Sequence, residues 1–425
     1  MKKRLNHITN YLNKRTLYPS LIASPPASDL QLIVTIPCYK EPNLLHVLDT
    51  LKKCKLPLHK SVEVIVLINN AVSATEEIKQ QNRMTFLAAQ DWSNQYNTKD
   101  LQFHILYIDN LPDKHAGVGL ARKIAMDEAI RRFHSLNRPN GIIACLDADS
   151  SVASNYFEAL CNYFEKHINC PAVDIYYEHP LEGNDFNEKT YDAILDYELH
   201  LRYYVHALQK AGLTNATQTV GSAMAVRTIA YAKQGGMNRR KAGEDFYFLH
   251  KFTAFEDFGH LVSTTVFPSP RTSDRVPFGT GKAIHSILEG HVLTTYHPAI
   301  FSDLKVMLSG IENSYLQVEV NTWMDQLPLS IQQFFIQEDF ALKWQELKQN
   351  TSNIRSFQKR FFQWFDAFKA MKYVHFARDH FYPNLSVEEA VGKWLEEHTD
   401  LRVQEMSKRA YLLHFRSLDR SKKMQ

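Results

Sequence analysis

Long apolar runs are missing from this chain of 425 residues. No stretch of about 18 uninterrupted apolar residues occurs, the length a membrane-spanning helix needs, so none is expected. Peripheral contact with a membrane surface stays open. The basic opening MKKRLNHITNYLNKR has no apolar run behind it, so no secretory signal is expected. A surplus of one charge is missing too. Lys and Arg number 49 against 46 Asp and Glu, a net charge of +3. That balance argues against a nucleic-acid partner, though a small basic pocket for a phosphate is compatible with it. Cysteine is scarce: Cys38, Cys54, Cys145, Cys161 and Cys170 show neither CxxC spacing nor histidines placed for structural zinc. They read as small buried thiols of a cytoplasmic protein. Repeats and low-complexity tracts are absent as well. With 44% apolar and 22% charged residues, the chain as a whole is not disordered, collagenous or a coiled coil. Its length allows two to three domains.

What is present is an alternation. Residues 1–30 read as an N-terminal leader, polar and then rich in Pro and Ser. The β-branched run LQLIVTIPCYKEP follows, a buried strand stopped by Pro37 and Pro42. Leu44, Leu45, Val47, Leu48 and Leu51 then mark a helical face. VEVIVLINNA and LQFHILYIDN read as further strands, GVGLARKIAMDEAIRRF as a helix opened by glycines, and GIIACLDADSSV as a fourth strand ending in acids. Strands alternating with helices over this length predict a parallel, doubly wound sheet. Ligands of such sheets bind beyond the carboxyl ends of the strands. The polar clusters Tyr39/Lys40/Glu41, Asn69/Asn70, Asp109/Asn110 and Asp147/Asp149 all fall at such ends. A long tyrosine-rich helix (Tyr191, Tyr197, Tyr203, Tyr204) precedes VGSAMAVR and GEDF. From about residue 300 the pattern is helical: Ile354, Phe357, Phe361, Phe365 and Phe368 keep helical spacing, and Ser386 to Glu389 form a capping-box pattern.

Three constellations can carry chemistry. Asp147-Ala148-Asp149 ends a buried strand. Alternation points two carboxylates spaced by one residue to the same side, where both reach one hard cation. Mn²⁺ or Mg²⁺ held there can neutralise a departing phosphate group. Glu244 and Asp245 open a second acidic site, where a carboxylate facing substrate could act as a general base; an acidic pair at a helix start also serves plain dipole stabilisation. Gly117-Val118-Gly119 is not a dinucleotide fingerprint, since Arg122 stands where GxGxxG needs its third glycine. These glycines instead allow close backbone approach at a helix start, with Arg122 or Lys114 near a phosphate. The basic loop Arg271 to Lys282 either closes over a diphosphate or is a surface loop, and His285 and His297 are weaker candidates for metal ligands.

Together these residues resemble a family 2 glycosyltransferase with the A-type fold, of the soluble bacterial type, over about residues 30–285. IPCYKEP resembles the strand and loop that receive the nucleotide base, which brings in Pro37, Tyr39 and Glu41. NNA resembles the second-strand turn; Asn69 stands near the place of the family's base-contacting Asp. GVGLARKIAMDEA resembles the helix whose arginine, here Arg122, lies near the nucleotide, with Gly117 at its start. LDADS resembles the metal-binding DxD. VGSAMAVR, with Gly221, Ser222 and Met224, followed by GGM, resembles the acceptor-side segment. GEDF resembles the acidic pair whose second member, here Asp245, is the base of inverting enzymes. The QxxRW motif and membrane helices of the processive synthases are absent.

The resemblance implies a nucleotide-diphospho-sugar transferase fold, a Rossmann-like mixed sheet flanked by helices, over 31–298, with a helical C-terminal region over 299–425. It implies a metal-dependent inverting transfer from a nucleotide-diphosphate sugar to a saccharide or lipid-linked acceptor. Asp149 and Asp147 would hold the metal, Asp245 and Glu244 would be catalytic, and Arg275 would join the donor-binding residues. The helices after residue 300 cap the acceptor site, make a homodimer or touch a membrane; the sequence leaves the three open. Two other enzyme classes share parts of this pattern. A haloacid-dehalogenase-like phosphatase would use Asp147 as nucleophile, but its fold normally begins with that strand. A nucleotidyltransferase wants a glycine-rich loop after the first strand, which IPCYKEP lacks. An inactive glycosyltransferase-like binding protein is the non-enzymatic alternative.

Overall fold

The computed structural model describes residues 2–213, 216–273, 275 and 279–421. The chain divides into two compact units. One comprises Met1–Asn187, Thr219–Lys282 and Arg416–Gln425; the other comprises Glu188–Gln218 and Ala283–Phe415. The reading that closed the first domain at residue 298 drew this line elsewhere. Tyr203 of the long tyrosine-bearing helix packs edge-on against Phe301 and Trp394, so that helix belongs with the C-terminal helices. The arginines at the chain's end return to the first unit, where Arg416 donates to the His179 carbonyl at 2.8 Å and Arg420 lies over the Tyr176 ring.

The first unit begins with α1 (Lys2–Arg15), where a leader was expected. Leu5, Ile8, Tyr11 and Leu12 recur at helical spacing, and Ile8 and Tyr11 are buried. The elements that follow are β1 (Leu30–Cys38), α2 (Leu44–Lys52), β2 (Ser61–Ala71), α3 (Glu76–Tyr96), β3 (Leu101–Leu111), α4 (Val118–Ser135), β4 (Ile142–Cys145), β5 (Ser151–Val152), α5 (Tyr156–Lys166) and β6 (Ala172–Tyr177). After α6 (Glu188–Ala211) of the second unit come β7 (Met224–Arg227), α7 (Thr228–Lys233), α8 (Glu244–Leu249) and β8 (Gly259–Phe267). The strands form one sheet of order β3-β2-β1-β4-β7-β6-β8-β5.

The first four strands are parallel, as expected, but β7 runs antiparallel between β4 and β6, and β5 antiparallel to β8. The mixed sheet flanked by helices, with a helical C-terminal region, is the expected fold class. Strand β1 is buried on both faces, which is why it reads as a continuous apolar run. Leu32, Val34 and Ile36 enter one core with residues of α2, α3 and α5; Ile33 enters the other with residues of α1, α4 and α7. All five cysteines are buried and free.

The order 3-2-1-4 reverses direction between β1 and β4. Those strands stay paired only to Thr35 and Cys145, while β1 continues beside β2 to Cys38. Pro37, which has no N–H for a ladder, sits past the last pairing with β4. The crevice that opens there is the switch point where such sheets bind ligands.

In the second unit the phenylalanine stripe spans two helices rather than one. One runs Ile354–Trp364, and the next begins at Ala367, capped by Asp366 accepting from the Lys369 N–H at 2.9 Å. Ser386 caps Val387–His398 by accepting from Glu389 N. Tyr203 and Tyr204 are packed among rings of this unit. No described helix is long and apolar enough to cross a membrane.

Candidate functional site

Glu41 after β1 and Asp147 and Asp149 after β4 meet arginines at the β1/β4 crevice, whereas Asp109 and Asn110 stay exposed on the edge strand β3. Strand β4 ends at Cys145, and Asp147 to Ser150 form a turn closed by Ser150 N–H to the Asp147 carbonyl at 3.1 Å. Strand alternation therefore does not extend through Asp147 and Asp149, and a different arginine holds each. Arg122, at the start of the second turn of α4, donates from Nη2 to Asp147 Oδ1 and from Nη1 to Glu244 Oε1, both at 2.5 Å. Its side chain is 1% exposed. Burial opposes its charge, but Asp147 and Glu244 outweigh that and keep it protonated.

Glycines make this arrangement possible. A Cβ at Gly119 would lie 2.3 Å from the Arg240 carbonyl oxygen, so the start of α4 lies directly on the segment that leads into Glu244. A Cβ at Gly117 would meet Lys241 Cα at 2.9 Å. Gly221 backs the guanidinium itself: a Cβ there would stand 2.8 Å from Nη1 and 2.9 Å from Nη2 of Arg122. Its neighbour Ser222 is buried with a hydroxyl that has no partner among the described residues. Met224 lies within β7 and points into the apolar core.

Glu244 and Asp245 open α8. Burial pushes both carboxyls upward, against the pull of Arg122. They differ in their partners. Glu244 is bound to the guanidinium, whereas Asp245, among the described residues, accepts only from the neighbouring Phe246 N–H, at 2.7 Å.

On the other side of the crevice, Asp149 Oδ2 accepts from Arg271 Nε at 2.8 Å and Nη2 at 2.6 Å. The same Nη2 reaches Glu41 Oε2 at 2.5 Å, and Arg275 Nη2 reaches that oxygen at 3.0 Å. Glu41, after β1, is buried. Arg271 and Arg275 follow β8. The loop over 271–282 is only partly described, since residues 274 and 276–278 lie outside the described residues. Lys40 adopts a left-handed backbone with φ 52°, an uncommon conformation for a side chain of this kind. Both of its peptide groups are fastened: its N–H donates to Asn82 Oδ1 at 2.8 Å and its carbonyl accepts from Arg275 at 2.9 Å.

Asn82 of α3 is a hub that sequence reasoning missed. Its amide also donates to the Asn69 carbonyl at 3.1 Å and to Asn70 Oδ1 at 2.6 Å, and Asn70 donates to Tyr107 Oη at 2.8 Å. One hydrogen-bonded chain thus crosses the ends of β1, β2 and β3. A buried asparagine among exposed helix positions carries no motif, so only the fold reveals it. Asn69 itself is buried at the end of β2, and Tyr39 is half-buried after β1.

Among the described residues no three His, Cys, Asp or Glu side chains converge into a ready-made cation cage. A divalent ion shared with a diphosphate needs only one or two protein carboxylates. Asp147 and Asp149 are hard oxygen donors of the right kind. Asp147 is pushed up to about 6 by burial, with Asp149 and Glu244 adding and Arg122 opposing. A divalent ion beside these two carboxylates would favour their charged forms. His285 Nε2 lies 3.2 Å from Glu289 Oε1 and His297 Nδ1 accepts from Ala299 N–H at 3.1 Å; both belong to the second unit.

No family model matches this sequence. No curated protein matches it either. Solved structures with a similar fold include S. aureus TarS residues 1–349 in complex with UDP-GlcNAc, at 12% identity and TM-score 0.38, covering 69% of this chain and 78% of that one. The same TarS fragment in complex with UDP has 12% identity and TM-score 0.36, covering 92% and 91%. The mannosyltransferase PcManGT from Pyrobaculum calidifontis, in complex with GDP-Man and Mn²⁺, has 12% identity and TM-score 0.34, covering 98% and 95%. These are loose similarities of fold and assign neither a family nor an activity.

Proposed function

We propose that this chain is a metal-dependent, inverting glycosyltransferase of the family 2 type, moving a sugar from a nucleotide-diphosphate donor to an acceptor hydroxyl. One observation carries the reading: the buried Arg122 ties Asp147 of the DxD to Glu244 of the acidic pair, at 2.5 Å on each side. Two acidic motifs far apart in sequence thereby become one site at the sheet's switch point. In this reading Asp149, with Asp147, holds Mn²⁺ or Mg²⁺ against the donor diphosphate, and the ion neutralises charge on the departing nucleotide when bound.

The chain's own residues do the rest. Asp245, the acid not paired with an arginine, accepts the proton of the attacking hydroxyl at its carboxylate oxygen. Glu244, held by Arg122 and by Asn238 donating to its carbonyl at 2.9 Å, fixes the first turn of α8 and so aims Asp245. Arg122 spends its guanidinium on two carboxylates, so its part in donor binding is to position the DxD. Pro37, Tyr39, Glu41, Asn69, Gly117 and Arg275 shape the donor side, and Gly221 and Ser222 lie toward the acceptor. The phosphatase alternative gains no supporting observation, because the strand that bears Asp147 is preceded by three strand–helix units. A soluble cytoplasmic enzyme with a saccharide or lipid-linked acceptor completes the proposal.

The test is calorimetric titration of UDP, GDP, CDP and TDP, with and without Mn²⁺, into wild type and Asp149→Ala. One nucleotide should bind only with metal and only to wild type. Metal-dependent binding of none of them would overturn the donor site.

A further inference from the structure

Arg271 sits where the proposed function needs a divalent ion to be. Its Nε and Nη2 both bond Asp149 Oδ2, and Nη2 also reaches Glu41. Such a guanidinium neutralises Asp149 as a metal would, and it stands close enough to repel one. Two features make it exchangeable. Its side chain and that of Asp149 are 25% and 29% exposed, so the pair is not locked in the core. And Glu41, whose side chain is 2% exposed, keeps Arg275 when Arg271 leaves, so no buried carboxylate is stranded by the exchange.

We propose that Arg271 is an exchangeable counter-ion: it holds Asp149 in the absence of donor, and passes to the donor diphosphate when a divalent ion takes Asp149. This rests on the donor-site reading above. Charge decides the direction. Glu41, Asp149, Arg271 and Arg275 together are neutral, and Asp147, the second carboxylate of the DxD, is balanced by Arg122. A divalent ion entering alone gives these four groups and the ion a net charge of +2, the displaced guanidinium included. The same ion entering with a nucleotide-diphosphate sugar, which carries two negative charges, leaves it neutral again and gives Arg271 a new anion to fork onto. Arg271 therefore disfavours metal alone and favours metal with diphosphate, so the two ligands bind cooperatively.

The experiment compares wild type with Arg271→Gln and Arg271→Lys. Free Mn²⁺ is followed by electron paramagnetic resonance while Mn²⁺ alone is titrated, and nucleoside diphosphate is then titrated at fixed Mn²⁺. Loss of a partly exposed, doubly bonded pair should tighten binding of Mn²⁺ alone by about three- to tenfold in Arg271→Gln. Diphosphate binding in the presence of Mn²⁺ should weaken by about tenfold, the loss of one charged hydrogen-bond pair. Arg271→Lys, which keeps the charge, should lie nearer wild type in the first titration. A merely structural Arg271 would weaken both titrations together or move neither, and either result overturns the proposal, as does Mn²⁺ binding absent from wild type and variant alike. Opposite shifts are the expected result. Nucleotide binding absent throughout, with the Mn²⁺ shift intact, would overturn the donor reading and the transfer to diphosphate while leaving Arg271 as the counter-ion of Asp149.

Discussion

Adding one methyl group at Gly221 tests how the site is assembled. The residue is buried, and its φ is not in the left-handed region, so Gly221→Ala has no backbone strain to confuse the reading. The new Cβ would lie 2.8 Å and 2.9 Å from the two terminal nitrogens of Arg122 and 3.2 Å from its Cζ. An exposed arginine would swing aside, but this one is held at 2.5 Å on both sides. Overpacking of this kind costs about 1–3 kcal/mol. Replacing glycine also restricts the unfolded chain, which returns about 0.4–1 kcal/mol. The net destabilisation is therefore about 0.5–2 kcal/mol.

The assay is urea denaturation of Gly221→Ala in two backgrounds, wild type and Arg122→Gln. Glutamine is shorter and leaves the space over Gly221 clear, so the same methyl should become neutral or stabilising there. That sign change is a coupling between neighbours of the kind a double-mutant cycle isolates. An equal cost in both backgrounds would refute the claim that the guanidinium lies against Gly221.

Two further outcomes are expected. Asp245→Asn should lower turnover by about 10²–10⁴-fold with donor affinity nearly intact; equal turnover would remove Asp245 as the base, and a product of retained anomeric configuration would refute single displacement. Glu63 on β2 tests the pH dependence of folding. Arg132 Nη2 reaches its Oε1 at 2.6 Å and His104 Nε2 lies 3.7 Å from its Oε2. Burial by itself would raise this carboxyl, but the neighbouring His104 ring and the hydrogen bonds and charge of Arg132 outweigh burial and lower it from 4.5. A lowered carboxyl contributes stability that is fully present above 4.5 and lost as pH falls through the folded value. Glu63→Gln should thus cost about 3–5 kcal/mol at neutral pH, and the gap to wild type in denaturation midpoint should shrink in acid. A gap independent of pH would show that packing, not the ion pair, sets the loss.

The legible parts of the fold were those with one local signal. The β-branched runs became β1 and β2 because strands buried on both faces must be apolar throughout. The acids after Cys145 lie at the crevice because β4 is a parallel strand that ends there. The helix Glu76–Tyr96 and its hub Asn82 were not read, because its weak apolar face offers no clear period. Of the stretch expected to be a leader over residues 1–30, Lys2–Arg15 is a helix, because a polar segment can bury a few residues through bonds such as Tyr11 Oη to Asp127 at 2.7 Å.

The sequence alone therefore determined which strands are buried, which carboxylates stand at their ends, and that zinc, nucleic-acid and dinucleotide readings have no support in motif or charge. Those are properties of a residue and its near neighbours. The tertiary structure decided the pairings: Arg122 between Asp147 and Glu244, Arg271 on Asp149 and Glu41, Asn82 across three strand ends. It also decided that β7 runs against its neighbours and that α6 belongs to the helical unit. Each of these joins residues tens to hundreds of positions apart. A charge or an amide carries no record of its partner in its own sequence; long-range packing brings the two within reach, and burial then requires the bond to be made.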